Sequence, residues 1–215
     1  MNSDAIELNN RGIIEMQSGN VALAFVLLSE AGNITVRGMP NNRHVDSDTT
    51  TFRFQWEECS SKVKELPTWE GTLPFLYIRA LRISFTGTIA DVNGQCACGF
   101  AWCIWYNLAL CANVLGSRLG DRGRSLLDFA FDLYHKVQMR IDCEPSTKHW
   151  DLLQMAVLNN QACIYHDFAR HDELTTCLEE LGSFVLKSRS VEDAYKRSFV
   201  LSLEILGNTM AAASA

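Results

Sequence analysis

The stretch LNNQACIYHDFARHDEL, residues 158 to 174, places two adjacent asparagines in the middle of a pattern typical of an amphipathic helix. Asparagine side chains compete with the helix backbone for hydrogen bonds, so the pair Asn159 and Asn160 needs a reason. The same pair occurs in LNNRGIIEMQSGN, residues 8 to 20. The recurrence raises the question of which repeated structure places Asn-Asn there, and what the pair binds.

The spacing of apolar residues predicts helical hairpins around these pairs. The first hairpin is broken at residues 18–20, the second at GSRLGDRGR (residues 116–124) and the third near Ala169. We therefore expect three antiparallel hairpins, with helices over residues 4–17 and 21–30, 102–115 and 125–139, and 149–167 and 172–187.

The first helices of the hairpins share a local pattern when LNNRG (8–12), WYNLA (105–109) and LNNQA (158–162) are aligned. In each, an apolar anchor is followed two residues later by Asn and four residues later by Gly or Ala. Small residues are what closely packed helices need where they cross. Another seven residues on come further small residues, where each turn is expected to begin: Gly19, Gly116 and Ala169.

This spacing resembles the tetratricopeptide repeat, over roughly half of the chain. The matching positions are Leu8, Gly12, Gly19, Ala24, Leu28 and Ala31 in the first hairpin, with Tyr165 in the aromatic position of the third. Arg11 and Gln161 replace the usual Leu, and Glu15 and Ala112 replace the aromatic residue. The small residues lie 97 and then 53 positions apart, whereas the family repeats every 34 residues or so. The resemblance implies a superhelix of hairpins.

The resemblance also implies a binding site. In the family, an Asn two residues before the small residue lies on the concave face and holds the backbone of an extended peptide. Asn10, Asn107 and Asn160 match that position, and a carboxamide offers both a donor and an acceptor to a peptide unit. Their neighbours Asn9, Tyr106 and Asn159 are expected to face the same groove. The alternative is that these amides satisfy the backbone or neighbouring side chains within the fold.

A variant of the family grips a carboxylate with Lys and Arg on the first helices. The comparable positions here carry no basic residue, which argues against that variant; they are Ile6, Ile13, Cys103, Leu110, Ala156 and Cys163.

A polar insertion, residues 32–95, separates the first two hairpins within what we expect to be a single domain over residues 1–215. Within this insertion we expect a short strand near residues 51–56. We also expect a β element over residues 75–85, because apolar residues alternate there. Residues 198–206 alternate similarly and are expected to pair with that element; a helix over residues 192–206 is the open alternative. The Ala-rich end, residues 211–215, is expected to fray.

Composition excludes some partners. A net charge of −6 and a pI near 5.4 give no general attraction to nucleic acid or anionic lipid. The apolar run 96–115 is interrupted by Asn107 and Asn113, so we expect a helix buried in protein and no membrane association. The first residues lack a signal-peptide pattern. Eight cysteines in mostly apolar helical surroundings indicate reduced thiols, so we expect the cytoplasm, with the nucleus as the alternative.

The sequence contains no well-matched metal-binding or catalytic motif. Cys96, Cys98 and Cys103 lack a second cysteine pair, and Cys163 with His166 lacks zinc-site spacing. We therefore expect no metal, no cofactor and no catalytic residues. The predicted function is a non-enzymatic interaction scaffold for a peptide or partner protein. Two alternatives stay open: an enzyme or small-molecule binder with a pocket between the helices and the β element, and a structural subunit of a homo-oligomer.

Overall fold

A computed structural model describes residues 2–38, 52–59, 77–85, 101–141, 148–189 and 191–213. This part of the chain is mainly helical with a small two-stranded antiparallel sheet, as the sequence predicted. The elements are α1 (Asn2–Gln17), α2 (Val21–Gly38), β1 (Phe52–Glu58), β2 (Arg79–Phe85), α3 (Ala101–Leu119), a 3-10 turn (Gly120–Gly123), α4 (Arg124–Ile141), α5 (Lys148–Asp167), α6 (His171–Lys187) and α7 (Asp193–Ala213).

The six helices expected for the hairpins are present as α1 and α2, α3 and α4, and α5 and α6. Of these pairs, α1 packs on α2 and α5 packs on α6. Their bounds differ from the prediction mainly at α2, which continues to Gly38 and so takes up the beginning of the expected insertion. None of the helices described above combines the length and the apolar content that crossing a bilayer requires.

The predicted strand over residues 198–206 is wrong, because this segment belongs to the helix α7. Phe199, Ser202 and Leu206 are buried, whereas Leu201 is exposed. Spacings of three and four residues place the buried side chains on one face of a helix, and this periodicity outweighs the alternation of apolar residues. The alternative helix is confirmed, and it continues to Ala213 into the segment 211–215 that we expected to fray.

The β element pairs within the insertion and not with the C-terminal segment. β1 and β2 are antiparallel, with Trp56 opposite Leu81 and Glu58 opposite Arg79. The strand expected near residues 51–56 is therefore confirmed, and the strand within residues 75–85 begins at Arg79. Cross-strand ion pairs of 3.0 Å join Arg79 to Glu58 and Arg82 to Glu57 in this register.

The chain groups into two compact units. The first, here the N-terminal unit, comprises Met1–Pro67 and Ile78–Leu133; the second, here the C-terminal unit, comprises Thr68–Tyr77 and Tyr134–Ala215. In the N-terminal unit α1 packs on α2, α2 packs on α3, and β2 lies against α1 and α3. In the C-terminal unit α5, α6 and α7 contact one another. The expected single domain over residues 1–215 stays a prediction.

Small residues allow the close helix crossings that the pattern indicated. A Cβ atom at Gly12 would lie 2.8 Å from Leu28 Cγ, across the α1–α2 contact. The expectation that a turn begins at Gly116 is wrong, because α3 continues to Leu119. A Cβ there would instead meet the Leu127 side chain at 2.8 Å. Gly116 therefore serves close packing, and the positive φ in this connection, 55°, belongs to Gly120.

The first and third hairpins turn in the same way. Gly19 (φ 84°) and Ala169 (φ 53°) take the left-handed conformation directly after α1 and α5. The N–H of Gly19 donates to Met16 O and the next N–H donates to Glu15 O, and the corresponding bonds at Ala169 reach His166 and Tyr165. This pair of bonds is the Schellman motif, which ends a helix at a left-handed residue. The two hairpins therefore share a turn with a position that suits glycine, although only the first hairpin has glycine there.

Exchanging these two residues should change stability in opposite directions. Gly19→Ala is expected to destabilise the chain by about 1 kcal/mol, because an L side chain is strained at positive φ. Ala169→Gly relieves the same strain and should stabilise it by about 0.5–1 kcal/mol after the added entropy of the unfolded chain. Urea unfolding measures both changes in stability as shifts of the midpoint concentration of urea, provided that the dependence of the free energy of unfolding on urea concentration stays the same. Shifts of the same sign would contradict the shared turn.

Candidate functional site: carboxamides that hold a peptide backbone

The Asn107 side chain of α3 holds one residue of β2 by both backbone polar groups. Asn107 Nδ2 donates to Leu81 O, and the Leu81 N–H donates to Asn107 Oδ1, each at 2.8 Å. Asn107 is fully buried, so these bonds replace water that neither group can reach. The Asn107 amide is therefore a bidentate partner for one residue of an extended backbone.

Asn10 of α1 makes the same contact two residues further along β2. Its Nδ2 donates to Ile83 O at 2.7 Å, and the Ile83 N–H donates to its Oδ1 at 3.1 Å. Asn9 links the two contacts: its Oδ1 accepts from Asn107 Nδ2 at 2.8 Å, and its Nδ2 lies 3.3 Å from Leu81 O. Adjacent asparagines thus serve two purposes, since Asn10 binds the strand and Asn9 orients Asn107.

Tyr106 completes this group, and we call Asn9, Asn10, Tyr106 and Asn107 the carboxamide clamp. The Tyr106 hydroxyl donates to Arg79 O at 3.1 Å. Its ring packs edge-on against Trp56 of β1, with ring centroids 5.7 Å apart. The phenol therefore touches both strands of the sheet.

The clamp binds alternate residues of β2, at positions 79, 81 and 83. Backbone groups of alternate residues in an antiparallel strand point to the same edge, and the groups between them point to the opposite edge. The opposite edge of β2 pairs with β1. The clamp therefore satisfies the second edge of β2 as a third strand would, which protects an edge from adventitious pairing.

Asn160 makes a comparable contact within the C-terminal unit. The Tyr77 N–H donates to Asn160 Oδ1 at 2.9 Å, and Asn160 Nδ2 lies 3.4 Å from Tyr77 O. Asn160 Nδ2 also donates to the Tyr134 hydroxyl at 3.1 Å, and Asn159 Nδ2 lies 3.2 Å from Asn160 Oδ1. The Tyr77 ring stacks on Phe199 at 4.7 Å between centroids. Both units thus use a buried carboxamide to hold an extended backbone residue.

The structure places the predicted site residues in two groups. Asn9, Asn10, Tyr106 and Asn107 meet around β2, and Asn159 and Asn160 meet around Tyr77. The backbone that they hold belongs to the chain itself, which agrees with the alternative reading of the amides. Tyr134 and Trp56 were not predicted as supporting residues, because neither lies near an asparagine in the chain. Binding of a partner by these residues stays a prediction.

The described cysteines are buried. Burial raises the pKa of Cys59 and Cys177 to about 12, and raises the pKa of Cys103 and Cys111 well above the usual value. The thiol of Cys111 donates to Val21 O at 3.3 Å, and that of Cys177 donates to Leu158 O at 3.2 Å. The thiolate is the nucleophile and the metal ligand, so these sulfurs are poorly suited to either role.

Metal ligands do not gather in the described ranges. Over those ranges, no group of three or more His, Cys, Asp or Glu side chains could hold an ion. Cys103 is fully enclosed near the start of α3, and its expected companions Cys96 and Cys98 lie outside the described residues.

Thiol alkylation should separate the buried cysteines from accessible ones. We expect Cys59, Cys103, Cys111 and Cys177 of the native chain to react with iodoacetamide at pH 7.5 at least about 100-fold more slowly than in denaturant, because burial hides the sulfur and keeps it protonated. Peptide mass spectrometry gives the rate for each cysteine. Equal native and denatured rates at any of these would show that its surroundings open readily.

Comparison with protein-family models, with curated protein sequences and with solved structures finds no match to this chain. The likeness to the tetratricopeptide repeat therefore stays a prediction from sequence.

Proposed function

We propose that the chain is a non-enzymatic protein-interaction module of tetratricopeptide-like hairpins, and that its carboxamide clamp binds an extended segment of a partner polypeptide. One observation carries this proposal. Asn10 and Asn107 each engage the N–H and the C=O of a single residue of an extended strand. That is the chemistry of peptide recognition through the main chain, in which hydrogen bonds to the backbone supply affinity.

The clamp is neutral, which indicates the kind of ligand. Its polar groups are carboxamides and one phenol, which bind neutral peptide units rather than an anion or a cation. Contacts to the main chain tolerate many side chains. Selectivity would then come from the surroundings of the strand, where Leu81 and Ile83 are buried and Arg82 is half-buried.

β2 occupies the clamp, so a partner segment competes with it. The apparent affinity of such a segment falls by the fraction of molecules in which β2 has left the clamp. Weakening β2 without changing the clamp should therefore strengthen binding in trans. Leu81→Pro is suited to this purpose, since proline lacks the N–H that Asn107 Oδ1 accepts.

A synthetic peptide with the sequence of residues 77–85, YIRALRISF, tests the proposal. It is acetylated, amidated and fluorescently labelled, and its anisotropy is followed as full-length chain is added. We expect saturable binding that is at least about tenfold tighter to Leu81→Pro than to the unaltered chain. Circular dichroism verifies that the variant stays helical.

Two methylated peptides provide the control. Methylation of the backbone nitrogens corresponding to Leu81 and Ile83 removes the N–H groups that the clamp accepts, and should weaken binding at least about tenfold, since each bond contributes about 1 kcal/mol. Methylation at the Ala80 and Arg82 nitrogens, which face the other edge, should weaken it less. Equal binding of the two methylated peptides, or no binding to a helical Leu81→Pro chain, would refute the clamp as a peptide site.

A further inference from the structure

The space that β2 fills has two different walls, and we call it the slot. On one side, the clamp binds the backbone of alternate residues of β2. On the other side, β1 pairs with the same strand, with Gln55 opposite Arg82 and Glu57 opposite Ala80. An extended segment in the slot therefore finds backbone partners at both of its edges, whereas an exposed sheet edge offers them at only one.

β1 has contacts of its own with the helices of the N-terminal unit. Its Trp56 ring packs against the Tyr106 ring of α3, with centroids 5.7 Å apart. Its Glu57 Oε2 accepts a hydrogen bond of 3.3 Å from Gln17 Nε2 at the end of α1. Neither contact involves β2. We therefore expect β1 to stay in place when β2 leaves, so that the slot keeps both walls.

Two positions of the slot require apolar side chains. Leu81 is 2% exposed, and Ile83 is fully buried. A charged side chain at either position would lose its hydration without gaining a partner, which is costly. A segment that replaces β2 therefore needs apolar side chains two residues apart.

The β1 wall of the slot is acidic. Glu58 Oε2 lies 3.0 Å from Arg79 Nε, and Glu57 Oε1 lies 3.0 Å from Arg82 Nε. The second pair is the less exposed of the two, with 21% of the Glu57 side chain and 35% of the Arg82 side chain accessible. Both carboxylates lose these arginines when β2 leaves. A segment with arginines at the corresponding positions restores both ion pairs.

We propose that the slot selects segments of a partner protein with the pattern Arg-x-apolar-Arg-apolar, which RALRI of residues 79–83 exemplifies. This inference rests on the proposed function, because a partner enters the slot only if the clamp accepts its backbone. The clamp binds a main chain of any sequence, and the acidic wall and the two apolar positions add selectivity. The net charge of −6 attracts a basic segment, whereas two copies of this chain repel each other.

A peptide of reversed charge tests this preference in the Leu81→Pro chain, in which β2 competes less. Binding of the labelled peptide YIRALRISF is compared with binding of the same peptide carrying Arg79→Glu and Arg82→Glu. A half-exposed ion pair changes affinity by only about 1.4- to 5-fold. The double reversal removes two attractions and adds repulsion by two carboxylates, so we expect binding to be at least about tenfold weaker.

A charge exchange in the protein tests one ion pair alone. With Glu57→Lys added to Leu81→Pro, the peptide carrying only Arg82→Glu should bind more tightly than YIRALRISF, because the attraction is restored with the signs exchanged. The contact with Gln17 survives this change, since a carboxamide accepts from an ammonium as well as it donates to a carboxylate.

Glu30→Lys in the Leu81→Pro chain is the matched control. It makes the same change of net charge at an exposed position of α2, and the preference for YIRALRISF should persist. Circular dichroism verifies that all these variants stay helical. A reversal of the preference by Glu30→Lys as well would show that overall charge, and not the β1 wall, decides the selection.

Two further results would overturn the proposal. Equal affinity of YIRALRISF and the doubly reversed peptide for the Leu81→Pro chain would show that the slot does not recognise basic residues, although the clamp still binds a strand. Binding of neither peptide would instead refute the clamp itself, and this inference with it. Light scattering distinguishes another occupant: a concentration-dependent dimer of the unaltered chain that Arg82→Glu abolishes would assign the slot to a second copy.

Discussion

Asn107→Ala is expected to lower the free energy of unfolding by about 3–5 kcal/mol, since each buried polar group left without a partner costs about 1–3 kcal/mol. The change removes both bonds to Leu81 and the bond to Asn9. The Leu81 N–H then has no acceptor, and its C=O retains only the longer contact with Asn9 at 3.3 Å. Water does not replace these bonds at a residue that is fully buried.

Urea unfolding followed by circular dichroism measures this loss, and Cys111→Ala is the matched control. Cys111 lies one turn further along α3, is also fully buried and makes a single thiol bond to Val21 O. Its replacement should cost only about 1–2 kcal/mol, as an ordinary core truncation does. Equal losses for both variants would mean that the carboxamide contributes no more than packing.

Gly123→Ala should have the second large effect, a destabilisation of about 3 kcal/mol or more, because overpacking that moves the backbone exceeds the usual range of about 1–3 kcal/mol. A Cβ atom at Gly123 would lie 2.0 Å from Gly116 O and 2.7 Å from Gly116 Cα. These are backbone atoms, so no side-chain rotation relieves the clash. The connection between α3 and α4 would have to open.

Gly32→Ala serves as the control in the same unit. A Cβ at Gly32 would meet Leu108 Cδ2 at 3.6 Å, an ordinary contact. Alanine favours the helical state over glycine by about 1 kcal/mol, so this variant should be neutral or more stable. Thermal unfolding of both variants gives the comparison. A Gly123→Ala chain as stable as Gly32→Ala would show that α3 and α4 can separate at little cost.

Helices were predictable here because their signals are local. The apolar spacing and the break at residues 18–20 mark the first hairpin without reference to any other part of the chain. The error at residues 198–206 has a physical cause: Phe199, Leu201 and Leu203 alternate as a strand does, yet only tertiary packing decides that Leu201 faces outward. Periodicity over nine residues does not distinguish the two structures.

The sequence predicted the carboxamide chemistry of the clamp, but it did not predict which backbone segment the clamp holds. Asn10 and Asn107 match the position at which the tetratricopeptide resemblance implies a contact with a peptide, and a carboxamide has the donor and acceptor that a peptide unit needs. The identity of that peptide depends on contacts between residues 73 and 26 positions apart. No pattern of neighbouring residues connects β2 to those helices, so the sequence did not indicate that β2 is the segment bound by the asparagines.

These long separations have a consequence for the order of folding. The α1–α2 and α5–α6 hairpins close through neighbouring residues, whereas seating β2 joins Asn10 to Ile83 across 73 positions. Closing a long loop is entropically unfavourable and slow. We therefore expect the helices to form early and capture of the strand to be the late, rate-limiting event, which leaves a nascent chain with its amides briefly accessible to any other extended polypeptide.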